Sequence, residues 1–332
     1  MYSDEDLDAA VQAGVLSEQN AGAFRAHVAQ QRKTPAVDEE RFRLVTGFND
    51  IFVVIACVLL LAAIVWLGME LVAWAGPALG AAAAWGLAEF FTRKRRMALP
   101  SILLLLAFVG GVMATAALLL WKDVSRPDWI LPGVAAALAA WLHWLRFKVP
   151  ITVAAGTAAL ATAGIALVGA LAPESRQWSN AVWFGAGVVV FAIAMRWDAS
   201  DTRRETRRSD VAFWLHLVAA PLLVHPLFVS LDVFRGSIST LQSLTVLGLY
   251  VLLALVSLSI DRRALMISAL SYVLYAFSAL LKTYGVVSLS FALTALVIGS
   301  ALLLLSAFWH PTRSAVLRAF PESLRAHLAP LR

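Results

Sequence analysis

The chain has 332 residues, of which 61% are hydrophobic and 14% charged, and its formal net charge is +6. A soluble domain runs nearer half apolar and a quarter charged, so the composition excludes an ordinary soluble enzyme and requires a multi-spanning membrane protein. The single cysteine, Cys57, excludes an internal disulfide and, inside an apolar run, acts as a small apolar residue.

The first residues, MYSDEDLDAA, are acidic and lack an apolar core, so no cleaved signal peptide is expected and the first span serves as its own insertion signal. Ser3 and Asp6 form a capping-box pattern, Leu7, Ala10 and Val11 share a face, and Gly14 stops a helix. Ser17 then caps a second helix on which Phe24 and Val28 lie one turn apart. Residues 1–48 are therefore expected to form a cytosolic helical hairpin with a polar lead-in. Too small to bury a core alone, the hairpin is expected to dock on the membrane surface, on the protein's own loops, or on a cytosolic protein partner.

Residues 49–309 carry ten apolar runs, near 51–68, 71–91, 97–121, 130–145, 149–173, 178–195, 211–231, 238–260, 264–281 and 285–308. Runs of about 18 residues are what a hydrocarbon layer of roughly 30 Å demands of a helix. The expected fold is an all-α polytopic bundle of about ten transmembrane helices, followed by a basic cytosolic tail over 310–332. With both termini cytosolic, only Lys122, Arg126, Arg176, Arg235 and Lys282 of the 27 lysines and arginines fall on the outer side. This is the positive-inside bias, and with anionic lipid contact it accounts for the charge without a nucleic-acid partner. Trp121, Trp129, Trp178, Trp197 and Trp309 sit at expected span ends, where indoles favour the headgroup layer. Basic turns centred near 95, 147, 203 and 262 divide the region into four helical hairpins repeating in parallel, with one further span at each end.

Catalytic motifs are missing: there is no G-x-S-x-G, no Cys/His cluster and no P-loop, and FGAGVVV lies within a span and lacks the third glycine of a dinucleotide fingerprint. No catalytic residue, metal or cofactor is expected, so the chain reads as a non-enzyme. Glu89, four residues before Arg93, reads as half of an interfacial ion pair or as a relay carboxylate. His216 and His225, nine residues apart on one span, differ by about 13.5 Å in height and about 180° in azimuth. They read as separately satisfied histidines or as members of a proton relay, and His143, three residues before Arg146, reads as interfacial. Gly76 and Gly80 form a G-x-x-x-G packing pattern.

Two hydroxyl stripes carry the remaining signal. Ser239, Ser243, Tyr250 and Ser257 fall within an arc of about 40° on the eighth span, and Ser268, Ser271, Tyr275, Ser278 and Lys282 within about 80° on the ninth. Only Asp261, Arg262 and Arg263 join these spans, so they are antiparallel neighbours. Small hydroxyl residues let helices approach closely, which makes packing one reading. Tyrosine and lysine are not small, so the other reading is a cavity for a neutral or amphipathic small molecule or lipid, with Tyr250 and Tyr275 on one open surface inside the bundle. A non-transporting scaffold that recruits a partner through the N-terminal hairpin is the alternative function.

The segments AGVLSEQNAGAFRAHV, RFRLVTGFND, LAEFFTRKRRMALPSILLLLAF and VLRAFPESLRAHLAP resemble a bacterial family of membrane proteins whose domain of unknown function is numbered 2157. The resemblance spans nearly the whole chain and implies a bacterial inner-membrane protein, with no reaction attached. For topology, reporter fusions after Arg96 and Arg263 are expected to read cytosolic and one after Arg126 extracytoplasmic. An odd number of spans in such a scan contradicts the arrangement.

Overall fold

Backbone amides and carbonyls left unpaired in hydrocarbon are costly, so long apolar runs fold as helices that satisfy themselves. The computed structural model describes residues 4–31, 48–120, 128–204, 206–232, 239–283, 290–325 and 328–330, which form helices and turns with no strand among them. The protein is an all-α polytopic bundle.

Two short helices, α1 (Asp4–Gln12) and α2 (Glu18–Gln31), come first. Gly14 takes φ +71°, the left-handed conformation that closes a helix at least cost, and Ser17 Oγ accepts from the Asn20 N–H at 3.1 Å to cap the next. An ion pair of 2.8 Å between Arg25 and Asp8 joins the two helices. Ser3, the lead-in before residue 48 and the side chain of Val28 lie outside the described residues.

The apolar region then runs through α3 (Phe48–Leu71), α4 (Ala75–Ala88), α5 (Ala98–Leu120), α6 (Ile130–Phe147), α7 (Ile151–Leu171), α8 (Ser179–Ala199), α9 (Arg207–Ser230), α10 (Thr240–Ile260), α11 (Ala264–Thr283) and α12 (Ser290–Ala307). Eight of these, α3 and α5 to α11, are long and apolar enough to cross a membrane. The other two occupy the expected second and tenth spans and have broken geometry. α4 has 14 residues and continues as a π-helical turn, Glu89–Lys94, while α12 bends by 76° into α13 (Trp309–Arg318). A short α14 (Glu322–Arg325) follows.

Helices α4 and α5, α6 and α7, α8 and α9, and α10 and α11 pack side by side around the turns near 95, 147, 203 and 262. Each turn holds one non-glycine residue in the left-handed region: Arg96 at φ 53°, Lys148 at 55°, Arg204 at 57° and Asp261 at 58°. That conformation costs roughly 1–2 kcal/mol per residue for an L-amino acid. The same backbone device thus recurs at four turns whose side chains barely resemble one another. α9 joins the two halves, since it packs on α7, α8 and α11 and buries Val211, Leu215, Ala219, Val224 and Phe228 completely.

Small residues set the helix spacing where no large side chain fits. Gly76 and Gly80 face Val65 of α3, so the G-x-x-x-G pattern is a packing seam. On α8, a Cβ added at Gly187 would meet the Leu222 and Leu223 backbone of α9 at 2.8 and 2.9 Å, whereas one added at Gly185 would meet nothing within 4 Å. Gly187→Ala is therefore expected to destabilise the protein by about 1–3 kcal/mol through overpacking. Gly185→Ala is expected to be neutral or to stabilise by roughly 0.5–1 kcal/mol through helix propensity. Thermal melts of the two purified variants in one detergent compare them directly.

Candidate functional site

A cavity of about 240 Å³ opens between α10, α11, α12 and the start of α13. Tyr250 of α10 lines it, as do Met266, Ile267 and Leu270 of α11, Leu302 and Leu305 of α12, Arg263 and Trp309. Its walls are mostly aliphatic, with Tyr250, Ser306 and Arg263 as the polar groups. The Tyr250 hydroxyl is buried and has no hydrogen-bond partner among the described residues. A buried hydroxyl without a partner costs about 1–3 kcal/mol, and this one belongs to a side chain that lines the open volume.

The two hydroxyl stripes part company at this cavity. On α10, Ser239 is the N-cap, with its Oγ accepting from Gln242 N–H at 3.2 Å while Gln242 Oε1 accepts from Ser239 N–H at 2.9 Å. Ser243 and Ser257 are buried, and the Ser257 hydroxyl has no partner among the described residues. On α11, Ser271, Tyr275 and Lys282 are exposed and Ser268 and Ser278 half-buried, and none of them lines the cavity. The expectation that Tyr250 and Tyr275 share one inward surface is thus corrected. At 100° per residue the cavity-lining strip of α11 (263, 266, 267, 270) lies roughly 110° from its hydroxyl stripe. The inward strip, Leu265, Ala269, Tyr272, Val273 and Ala276, belongs to the apolar core shared with α9 and α10. Apolar burial decided how α11 is rotated, and the hydroxyls followed.

Beneath the cavity lies a cluster of buried charge that the sequence reading missed. Arg262 donates two hydrogen bonds to the Asp198 carboxylate, at 2.7 and 3.2 Å, and another to the Ser209 carbonyl at 3.2 Å. His216 Nε2 lies 2.9 Å from the same carboxylate, and its Nδ1 is buried without a partner among the described residues. Asp261 pairs with Arg204 at 3.2 Å, accepts from the Trp309 indole N–H at 2.7 Å and lies 3.7 Å from Arg313. Arg313 donates to the Leu258 carbonyl at 3.2 Å and to the carbonyls of Ala329 and Pro330. Arg204 donates to the Asp261 carbonyl at 3.0 Å and to that of Ile260 at 3.4 Å. Two arginines thereby donate to carbonyls at the end of α10, those of Leu258, Ile260 and Asp261. The Arg204, Arg262 and Arg313 side chains are 4%, 1% and 2% exposed.

Sequence reading counted these arginines as cytosolic charge without depth. The signal that could have found them is acidic: Asp198, Asp201 and Asp261 sit within or beside basic turns, at span ends, where a purely topological role needs none. In α13 the spacing of Trp309, Arg313 and Leu317 is also that of one helix face, and all three are buried.

The remaining candidates are dispersed. Glu89 accepts from Arg146 of α6 at 2.7 and 2.9 Å and from Arg93 at 3.4 Å, so its stronger partner is across helices rather than one turn along. His143 is fully buried among Trp85, Phe108 and Phe147, and its Nδ1 lies 3.2 Å from Thr152 Oγ1. His225 Nδ1 bonds the Tyr272 hydroxyl, whose ring stacks on Phe228. Among the described residues no three His, Cys, Asp or Glu side chains gather as a metal site.

Removing one partner of a buried ion pair leaves the other charge uncompensated, at a cost of about 3–5 kcal/mol. Asp198→Asn is expected to lose stability on that scale in a melt, and the Asp198→Leu/Arg262→Leu double variant to recover most of it. A double variant no more stable than the single one contradicts the pairing. No family model, curated protein or solved structure matches the chain.

Proposed function

We propose that this multi-pass membrane protein binds, and carries within its membrane, a neutral or amphipathic small molecule in the cavity between α10, α11 and α12. The observation that supports this most directly is the cavity itself, a mostly aliphatic volume of about 240 Å³ with Tyr250, Ser306 and Arg263 among its lining residues. Ligand sites have this character: apolar walls that drive burial and a few placed polar groups that fix orientation. The reading is non-catalytic and calls on no cofactor. The positive-inside bias favours cytosolic termini, and the resemblance to the family numbered 2157 favours the bacterial inner membrane as its setting.

A second reading, a scaffold that recruits a cytosolic partner, has support from the α1–α2 hairpin, where Val15 is 78% and Phe24 45% exposed. The two readings separate by experiment. Native mass spectrometry of protein purified from its own membranes is expected to show a retained small molecule. Tyr250→Phe should deplete it several-fold with a melting temperature close to the parent's, because the ring volume is kept and one polar contact is lost. Identical spectra for the parent, Tyr250→Phe and the cavity-filling Leu270→Trp leave the cavity without a function and favour the hairpin.

A further inference from the structure

Away from the cavity, charge gathers where α4 turns into α5 and α6 into α7. Arg93, Lys94, Arg95, Arg96, Arg146 and Lys148 crowd these two turns, and all are exposed. Glu89 is the one acidic residue between 86 and 100 or between 140 and 155. Its Oε2 accepts from Arg93 at 3.4 Å and from Arg146 at 2.9 Å, and its Oε1 from Arg146 at 2.7 Å. Two guanidiniums thus close on one oxygen and share a single negative charge. Each keeps N–H donors that Glu89 does not use, and neither has a further partner among the described residues.

The local backbone concentrates this charge. The π-helical turn Glu89–Lys94 closes with the Arg95 N–H on the Phe90 carbonyl at 3.0 Å, and Arg96 then takes φ 53°. Four consecutive cations are held in one widened turn, where like charges repel and a bound anion relieves the repulsion. Inside the same turn the Thr92 hydroxyl is buried with no partner among the described residues. Such π-helical turns are rare and recur at functional sites.

Depth and the neighbouring apolar surface point to the source of the anion. Helix α6 is one of the eight apolar spans, so its end lies at the headgroup layer. Leu138, Leu142 and Leu145 of α6 are exposed, and at 100° per residue they fall with Arg146 within about 100° of arc over a rise of about 12 Å. An apolar lane leads up to the guanidinium, as an acyl chain leads up to its headgroup. We infer that the π-helical turn and the end of α6 form a site for a phosphate anion supplied by an anionic phospholipid. The phosphodiester bridges the unused donors of Arg93 and Arg146, and one acyl chain lies along Leu145, Leu142 and Leu138.

Full-length protein in a neutral detergent is titrated with dioleoylphosphatidylglycerol or dioleoylphosphatidylcholine, and bound lipid is counted by native mass spectrometry. Phosphatidylglycerol is expected to bind at least about tenfold more tightly. Arg93→Gln gives up only the 3.4 Å bond to Glu89, so it should weaken phosphatidylglycerol several-fold at an unchanged melting temperature. Glu89→Gln should strengthen it several-fold, because the carboxylate competes for the same donors. Arg203→Gln/Arg207→Gln, which removes two exposed cations from the region between α8 and α9, should leave it unchanged.

Equal affinities for the two lipids overturn the site. So does a loss in Arg203→Gln/Arg207→Gln as large as that in Arg93→Gln, which would mean diffuse attraction to a basic surface. Weaker binding in Glu89→Gln contradicts a phosphate held by the donors that Glu89 shares. Displacement of phosphatidylglycerol by millimolar inorganic phosphate assigns those donors to a soluble phosphate and overturns the lipid as its source.

Discussion

Two aspartates, Asp198 and Asp261, hold three buried arginines at one end of the bundle, and the geometry of the second half follows from them. A guanidinium taken out of water costs several kcal/mol unless its donors are met, and mutual attraction repays this only with near-ideal partners. The structure meets most of that demand with paired hydrogen bonds from Arg262 to Asp198 and with helix-end carbonyls for Arg204 and Arg313. The left-handed Asp261 and the bend after α12 are local costs consistent with the same demand. The first sets the carboxylate at the turn and the second brings Trp309 and Arg313 onto it. The cavity is bounded by the same device, because Trp309 both binds Asp261 and lines the open volume. Charge burial and the candidate ligand site are therefore one construction, and a change in either reaches the other through a single indole.

The first half solves the same architectural problem with less charge. Its hairpins share the left-handed turn residue, at Arg96 and Lys148, and their cross-helix polar contacts include a part-exposed Glu89–Arg146 pair and a His143–Thr152 bond inside an aromatic box. Small residues carry the helix approach there, with Gly111 against the Pro77 carbonyl and Gly133 against the Ala159 carbonyl. In the second half the cavity opens where Tyr250 and the bent α12 meet α11.

The positions of the ten apolar helices were legible in the sequence because a bilayer leaves long apolar runs little choice, but not that α4 is too short and α12 too bent to qualify as spans like the other eight. Gly14 and Ser17 announced their caps, and the Gly76–Gly80 pair its seam. The rotation of α11 was not legible. Its hydroxyls form the more conspicuous stripe, but serine repays little for burial, while Leu265, Ala269 and Val273 gain by it, so the apolar strip turned inward and carried Tyr275 outward. The buried arginines were hidden for a different reason. The positive-inside rule reads which side a charge occupies and is silent on depth, so Arg262 and Arg313 looked like Arg93 and Arg318. Of the candidate ligand residues only Tyr250 lines the cavity. Most of the others that do, Met266, Ile267, Leu270, Leu302 and Leu305, have no polar mark by which a sequence could single them out.

Neighbouring positions on α12 provide the most direct test of ligand binding in the cavity, because Leu302 lines it and Leu303 is 74% exposed. With Cys57 replaced by alanine, each leucine is exchanged for cysteine, tagged with a trifluoroethylthio group, and followed by fluorine NMR as octan-1-ol is titrated into nanodiscs. Binding in the cavity requires the resonance at 302 to shift to saturation while that at 303 drifts only linearly with the alcohol dissolved in the bilayer. Parallel linear drifts at both positions would mean that the volume between α10, α11 and α12 is ordinary lipid-facing surface.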